Sequence, residues 1–169
     1  LLLVLVAALA TGCGSATTVT VTVTRPSLEP PADQTLYGRP LSVERAARGY
    51  LLHFDPAFLT MGITANAAAA AADGEKCRPA SCPPVPNDYF SVDSAHEDLV
   101  YVLPTGVDGT VLENRGKGPK ATRITATQLA TIVAEGKAPG ITLFEPLDSG
   151  LWLDVHGDTI KSFDQQYRP

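Results

Sequence analysis

Apolar residues in this chain fall mostly in short runs and alternations of strand length, with helical spacing in two places. Leu41 to Val43 and Tyr50 to Phe54 are apolar runs joined by the polar link ERAARG, which predicts a hairpin. Asp55-Pro56 is expected to break the second strand, because proline brings no N–H to a sheet. A helix is predicted from about Thr60 to Asp73 through the stretch ANAAAAAAD, with Gly74 as its C-cap. Alanine favours helix and leaves a thin side-chain layer, so this helix can lie close against a sheet.

Further along, Tyr89 to Val92 and Leu99 to Leu103 read as strands. The second, LVYVL, is apolar at every position and predicts a central strand. Thr110 to Leu112 and Thr122 to Ile124 are shorter candidates flanking the exposed loop NRGKGPK. Thr125-Ala-Thr-Gln128 then opens a second helix as a capping box, with Leu129, Ile132 and Val133 as its apolar stripe and Gly136 as its end. In LWLDVHGDTIKSF, Gly157-Asp158 marks a two-residue hairpin turn. Strict alternation from that turn sets His156 opposite Thr159, Asp154 opposite Lys161 and Trp152 opposite Phe163, with Leu153, Val155 and Ile160 on the other face. This order of elements predicts one small α+β domain, a mainly antiparallel sheet with two helices, curled into a half-open barrel.

The beginning of the chain follows a different pattern. Residues 1–10 are all Leu, Val or Ala, too few to span a bilayer and suited to the apolar core of a secretory signal. No Met and no positive segment precede that core, so the start reads as truncated. Ala10-Thr11-Gly12-Cys13 resembles the lipobox of bacterial lipoproteins. That resemblance implies cleavage before Cys13 and a diacylglyceryl thioether on its sulfur. Each buried CH₂ adds about 0.8 kcal/mol, and two chains make a stable anchor. The rival is a plainly secreted protein, cleaved after Gly12 without lipid. The expected organisation is a signal peptide over 1–12, a flexible Thr/Pro-rich tether over 13–36 and a globular domain over 37–169. Within the tether, Thr17 to Thr24 alternates Thr with Val and is open to a second reading as an edge strand.

With Cys13 set aside, Cys77 and Cys82 remain as a pair around the proline-rich loop CRPASCPP. Export to an oxidising compartment predicts a disulfide between them, worth about 2 kcal/mol for so short a loop. Zinc would need two more ligands close by, and the CxxC spacing of redox motifs is absent.

Few residues invite chemistry. His53 lies in an apolar strand and His156 beside a turn, while His96 stands in the acidic run Asp93-Ser-Ala-His96-Glu97-Asp98. Those carboxylates are candidates to bind a cation or to raise the imidazole pKa, against the commoner outcome of a solvated turn. There is no HExxH, no Gly-x-Ser-x-Gly and no phosphate loop, and Leu103 to Gly106 is a turn and not a sorting signal. No cofactor is expected. A net charge of −5 argues against nucleic acid as a partner.

The stretches Phe54-Asp-Pro, Asn87-Asp-Tyr and Trp152 to Gln166-Tyr-Arg-Pro are similar to those of secreted actinobacterial proteins of unknown function. That resemblance implies no activity. Two functions stay open. One is a lipid-anchored envelope protein that binds another envelope protein or a small ligand, held to the membrane through Cys13. The other is a secreted or cell-surface hydrolase with a dispersed site near His96 or His53. The anchor is tested by detergent phase separation: wild type should enter the detergent phase and Cys13→Ser should stay aqueous. If both stay aqueous, the protein is plainly secreted.

Overall fold

The computed structural model describes residues 33–116 and 118–167. The leader, Cys13 and the Thr17–Thr24 alternation lie outside them. The sheet is made of β1 (Gln34–Ala46), β2 (Gly49–Met61), β3 (Tyr89–Asp93), β4 (Leu99–Pro104), β5 (Asp108–Asn114), β6 (Pro119–Thr125), β7 (Leu151–His156) and β8 (Thr159–Gln165). The helices are α1 (Gly62–Ala72) and α2 (Ala126–Glu135). Among the described residues, no helix is long and apolar enough to cross a membrane.

The predicted α+β architecture is present, and the strands curl into a ring without making a full barrel. β2 pairs antiparallel with β1 and β4, β1 with β7, and β7 with β8. The ring closes where β8 meets β4 in one parallel pair, Val102 with Thr159, beside a Val102 N–H to Asp158 C=O bond of 2.8 Å. β8 uses the same edge further along to meet β5, again in parallel, at Thr110 and Asp164. The prediction of a mainly antiparallel sheet therefore holds, with two short parallel contacts added.

Inside the ring, Leu52, Phe54, Leu103, Leu151, Leu153, Ile160 and Phe163 are fully buried. One end is covered by α2. Thr125 caps that helix in the predicted capping box with Gln128, and Gly136 ends it in the left-handed region at φ 74°. Its Ala126, Leu129, Ala130 and Ile132 join the ring's core, and Tyr50 donates from its hydroxyl to Thr127 Oγ1 at 3.3 Å.

Several sequence expectations need correction. The domain starts earlier than residue 37: Gln34, Thr35 and Leu36, assigned to the tether, pair in β1 with Val155, Asp154 and Leu153. Asp55-Pro56 does not end β2, which runs on to Met61, so α1 begins two residues later than predicted. β4 lies between β2 and β8 as expected of a central strand, yet Val100 is 47 % exposed, so only one of its faces is core.

The C-terminal hairpin keeps the predicted turn pairing of His156 with Thr159 but departs from strict alternation beyond it. Lys161 bulges out, so Asp154 faces Ser162, Leu153 faces Phe163 and Trp152 faces Asp164. The cause is parity. Ile160 and Phe163 are an odd number of residues apart, and a flat strand cannot bury both; one extra residue brings them to the same side. Trp152 consequently stacks on Tyr37, ring centroids 4.9 Å apart, and not on Phe163. Gly150 (φ 119°) lies against that pair, where an added Cβ would come within 2.4 Å of the Tyr37 hydroxyl oxygen.

Leu153 is fully buried at the centre of this arrangement. Leu153→Ala should lower unfolding free energy by about 2–5 kcal/mol in denaturant melts. His156→Ala should change it by about 0.5 kcal/mol or less, since the ring is exposed and its contact with Asp33 is at the surface.

Candidate functional site

The end of the ring opposite α2 is open, and the reason lies in β2. Its outer edge pairs with β4 from Gly49 to Phe54 and with β3 from Ala57 to Met61, leaving Asp55 and Pro56 between two ladders. The loop 94–98 spans that gap. Ser94 donates from its hydroxyl to the Pro56 carbonyl at 2.6 Å, and the His96 N–H donates back to Ser94 Oγ at 3.3 Å. Ala95 between them is left-handed (φ 56°), a costly conformation for a residue with a Cβ, and its N–H donates to Asp93 Oδ1 at 2.8 Å.

A cleft of about 510 Å³ opens beneath this loop. Gln34 and Leu36 of β1, Pro56 and Phe58 of β2, Leu99 and Tyr101 of β4, and Trp152 of β7 contribute to its walls. Register places most of these on the core side of their strands. Gln34 pairs with Val155, Leu36 with Leu153, Leu99 with Phe54 and Tyr101 with Leu52, and each partner is buried. On this side the cleft continues the ring's interior upward, with no described element laid over it. Phe58 follows the same alternation as Leu52, Phe54 and Pro56, yet it is 58 % exposed.

Polar groups are few. Trp152 donates its indole N–H to Gln166 Oε1 at 2.6 Å, leaving its ring as wall. The Tyr101 hydroxyl and the Gln34 amide have no hydrogen-bond partner among the described residues, although both side chains are half-buried. Burial holds the Tyr101 phenol above its ordinary value of 10.0, so it stays a hydrogen-bond donor at neutral pH. Among the described residues, Lys, Arg, Asp and Glu are all absent from the lining.

The acidic run predicted from sequence does not come together as a site. Asp93, His96, Glu97 and Asp98 are all exposed, and only His96 lines the cleft. Asp93 faces a separate polar hollow with Arg39, Asp55 and Asp148, in which Arg39 is bonded to Asp55. Among the described residues, no group of three or more His, Cys, Asp or Glu is arranged to hold a metal. His53 sits 3.5 Å from Glu44 and His156 3.0 Å from Asp33, both away from the cleft. Cys77 and Cys82 are joined in a disulfide, as predicted, with Cα atoms 5.2 Å apart. The cleft residues Gln34, Leu36, Pro56, Phe58, Leu99, Tyr101 and Trp152 were not singled out by their chemistry. The signal that could have found them is the alternation Tyr50-Leu52-Phe54-Pro56-Phe58, which runs through the proline unbroken.

No family model, curated protein or solved structure matches this chain.

Tyr101 gives a pH signature. The folded state holds its phenolic proton more tightly than the unfolded chain does, so its contribution is intact below the unfolded pKa. That contribution is lost as pH rises through the raised folded value. Above about pH 10, denaturant melts of wild type should therefore fall more steeply than those of Tyr101→Phe. Equal slopes would mean that the phenol is solvated.

Proposed function

We propose that this chain is an exported envelope lipoprotein whose domain is a binding module, with the open end of the ring as its ligand site. The observation behind this reading is the uncovered continuation of the core into the cleft. Phe58 and Tyr101 stand on core-facing positions, yet one is exposed and the other lacks a partner for its hydroxyl among the described residues. An apolar hollow with a few polar groups, within the ~300–1,000 Å³ of small-ligand sites, is the usual form of such a site. The Ala10–Cys13 motif supports presentation at the outer face of the cytoplasmic membrane, with the tether holding the domain away from the bilayer.

The hydrolase reading has one observation in its favour: His96 lines the same cleft as Ser94. Against it, the Ser94 hydroxyl is spent on the Pro56 carbonyl, and no serine hydroxyl is bonded to a histidine ring among the described residues.

The neutral dye N-phenyl-1-naphthylamine separates these readings. It should bind saturably, one per chain, and Phe58→Ser should weaken it several-fold while His96→Ala leaves it unchanged. If His96→Ala instead abolishes hydrolysis of a p-nitrophenyl ester by the wild type, the site belongs to an enzyme. If the dye does not bind at all, the cleft is not a ligand site.

A further inference from the structure

We infer that the cleft takes an uncharged single-chain acyl ester of the monoacylglycerol class, its chain along the apolar wall and its ester carbonyl on the Tyr101 hydroxyl. This deepens the binding-module reading and rests on it.

The apolar part of the ligand follows from the wall. Leu36, Pro56 and Leu99, with the ring of Tyr101, continue the face of Leu52, Phe54 and Leu153, all fully buried below them. Phe58 at the mouth is 58 % exposed on that same face and would be covered by whatever occupies the hollow. At about 510 Å³ the space is in the lower half of the small-ligand range, which suits one chain rather than two.

The polar part follows from what lacks a partner. The Tyr101 hydroxyl has no partner among the described residues and is free to donate to an acceptor on a ligand. Gln34 adds an amide that both donates and accepts, which suits the hydroxyls beside an ester.

The absence of net charge follows from the lining. Among the described residues, a carboxylate or phosphate in this hollow would meet no Lys or Arg, and a cation would meet no Asp or Glu. Arg39, on the other side of β1, is committed to Asp55. Of the described lining residues, His96 at the rim is the one basic side chain, and it is exposed. Bringing an unpaired ion against apolar walls is costly, so an ester is favoured over the free acid.

The chain's only tryptophan, Trp152, lines the cleft and serves as the reporter. The experiment uses the exported full-length Cys13→Ser protein, which needs no detergent, below the micelle concentration of each probe. Monodecanoylglycerol should shift Trp152 fluorescence saturably and displace the naphthylamine dye. Decanoate and decyltrimethylammonium, with the same chain and opposite charges, should each bind at least about 10-fold more weakly. Tyr101→Phe should weaken the glycerol ester by about 5-fold. Melting curves of Tyr101→Phe and Phe58→Ser at neutral pH should match wild type, since one change is nearly isosteric and the other lies at an exposed position.

Decanoate binding as tightly as the ester would overturn the uncharged head. An unaffected Tyr101→Phe would overturn the carbonyl contact. Dye binding with no displacement by the ester would overturn the ligand class and leave the binding module standing, whereas failure of the dye itself would remove both.

Discussion

Pro56 is the constraint on which this architecture turns. A strand residue presents its N–H and C=O to the same edge, and the Pro56 carbonyl points at Ser94, into the gap between β3 and β4. The missing N–H of the proline therefore falls where no ladder bond is due. β2 can run through the proline with its other edge paired, Pro56 opposite Gly38, and its free edge can change partner there. Two consequences follow together. β3 and β4 share one edge of β2 without colliding, and the interruption between them leaves space that the loop 94–98 spans without filling. The cleft is the room left by that change of partner.

The rest of the ring shows how little is needed to close it. Four antiparallel pairings supply most of the hydrogen bonds, and the last side is one parallel contact between β4 and β8. Closure depends on packing as much as on hydrogen bonding, because the residues that meet across the interior are Leu52, Phe54, Leu103, Leu153 and Phe163. The Lys161 bulge matters here. Without the extra residue Phe163 would turn outward, and the core would lose one of its two fully buried phenylalanines. Gln165 then ties the closing strand to its surroundings. It accepts from the Leu112 N–H at 2.8 Å and donates to the Glu145 carbonyl at 3.0 Å.

What was legible in the sequence was local. The capping box of α2, the Gly157-Asp158 turn, the β1–β2 hairpin and the disulfide each rest on residues a few positions apart, and all are present. In β7–β8, Asp154 with Lys161 and Trp152 with Phe163 make chemically sensible pairs, and good pairs conceal a bulge. The spacing of Ile160 and Phe163 carries the contrary signal. In β2 the alternation that continues past Pro56 outweighs the proline as a strand breaker. The cleft was out of reach for a different reason. Its walls come from four strands, and the closing contact joins residues 102 and 159, a pairing with no local signature. The acidic neighbours of His96 in the sequence do not line the cleft; its position there comes from Ser94 and Pro56.

The two ends of the ring differ in a way that stability alone does not explain. At the covered end, polar groups find partners: Thr125 and Gln128 satisfy each other, and the Tyr50 hydroxyl reaches Thr127. At the open end several departures from good packing lie in or beside the cleft and its bridging loop. Ala95 is left-handed, Phe58 is uncovered on a core-facing position, and Tyr101 and Gln34 lack hydrogen-bond partners among the described residues. A left-handed alanine costs roughly 1–2 kcal/mol, and an unpaired half-buried polar group adds to that. Another polar group at Tyr101 or a smaller residue at Phe58 would reduce these costs within the same fold. An apolar hollow with Phe58 uncovered and the Tyr101 hydroxyl free is the arrangement on which the proposed ligand site rests.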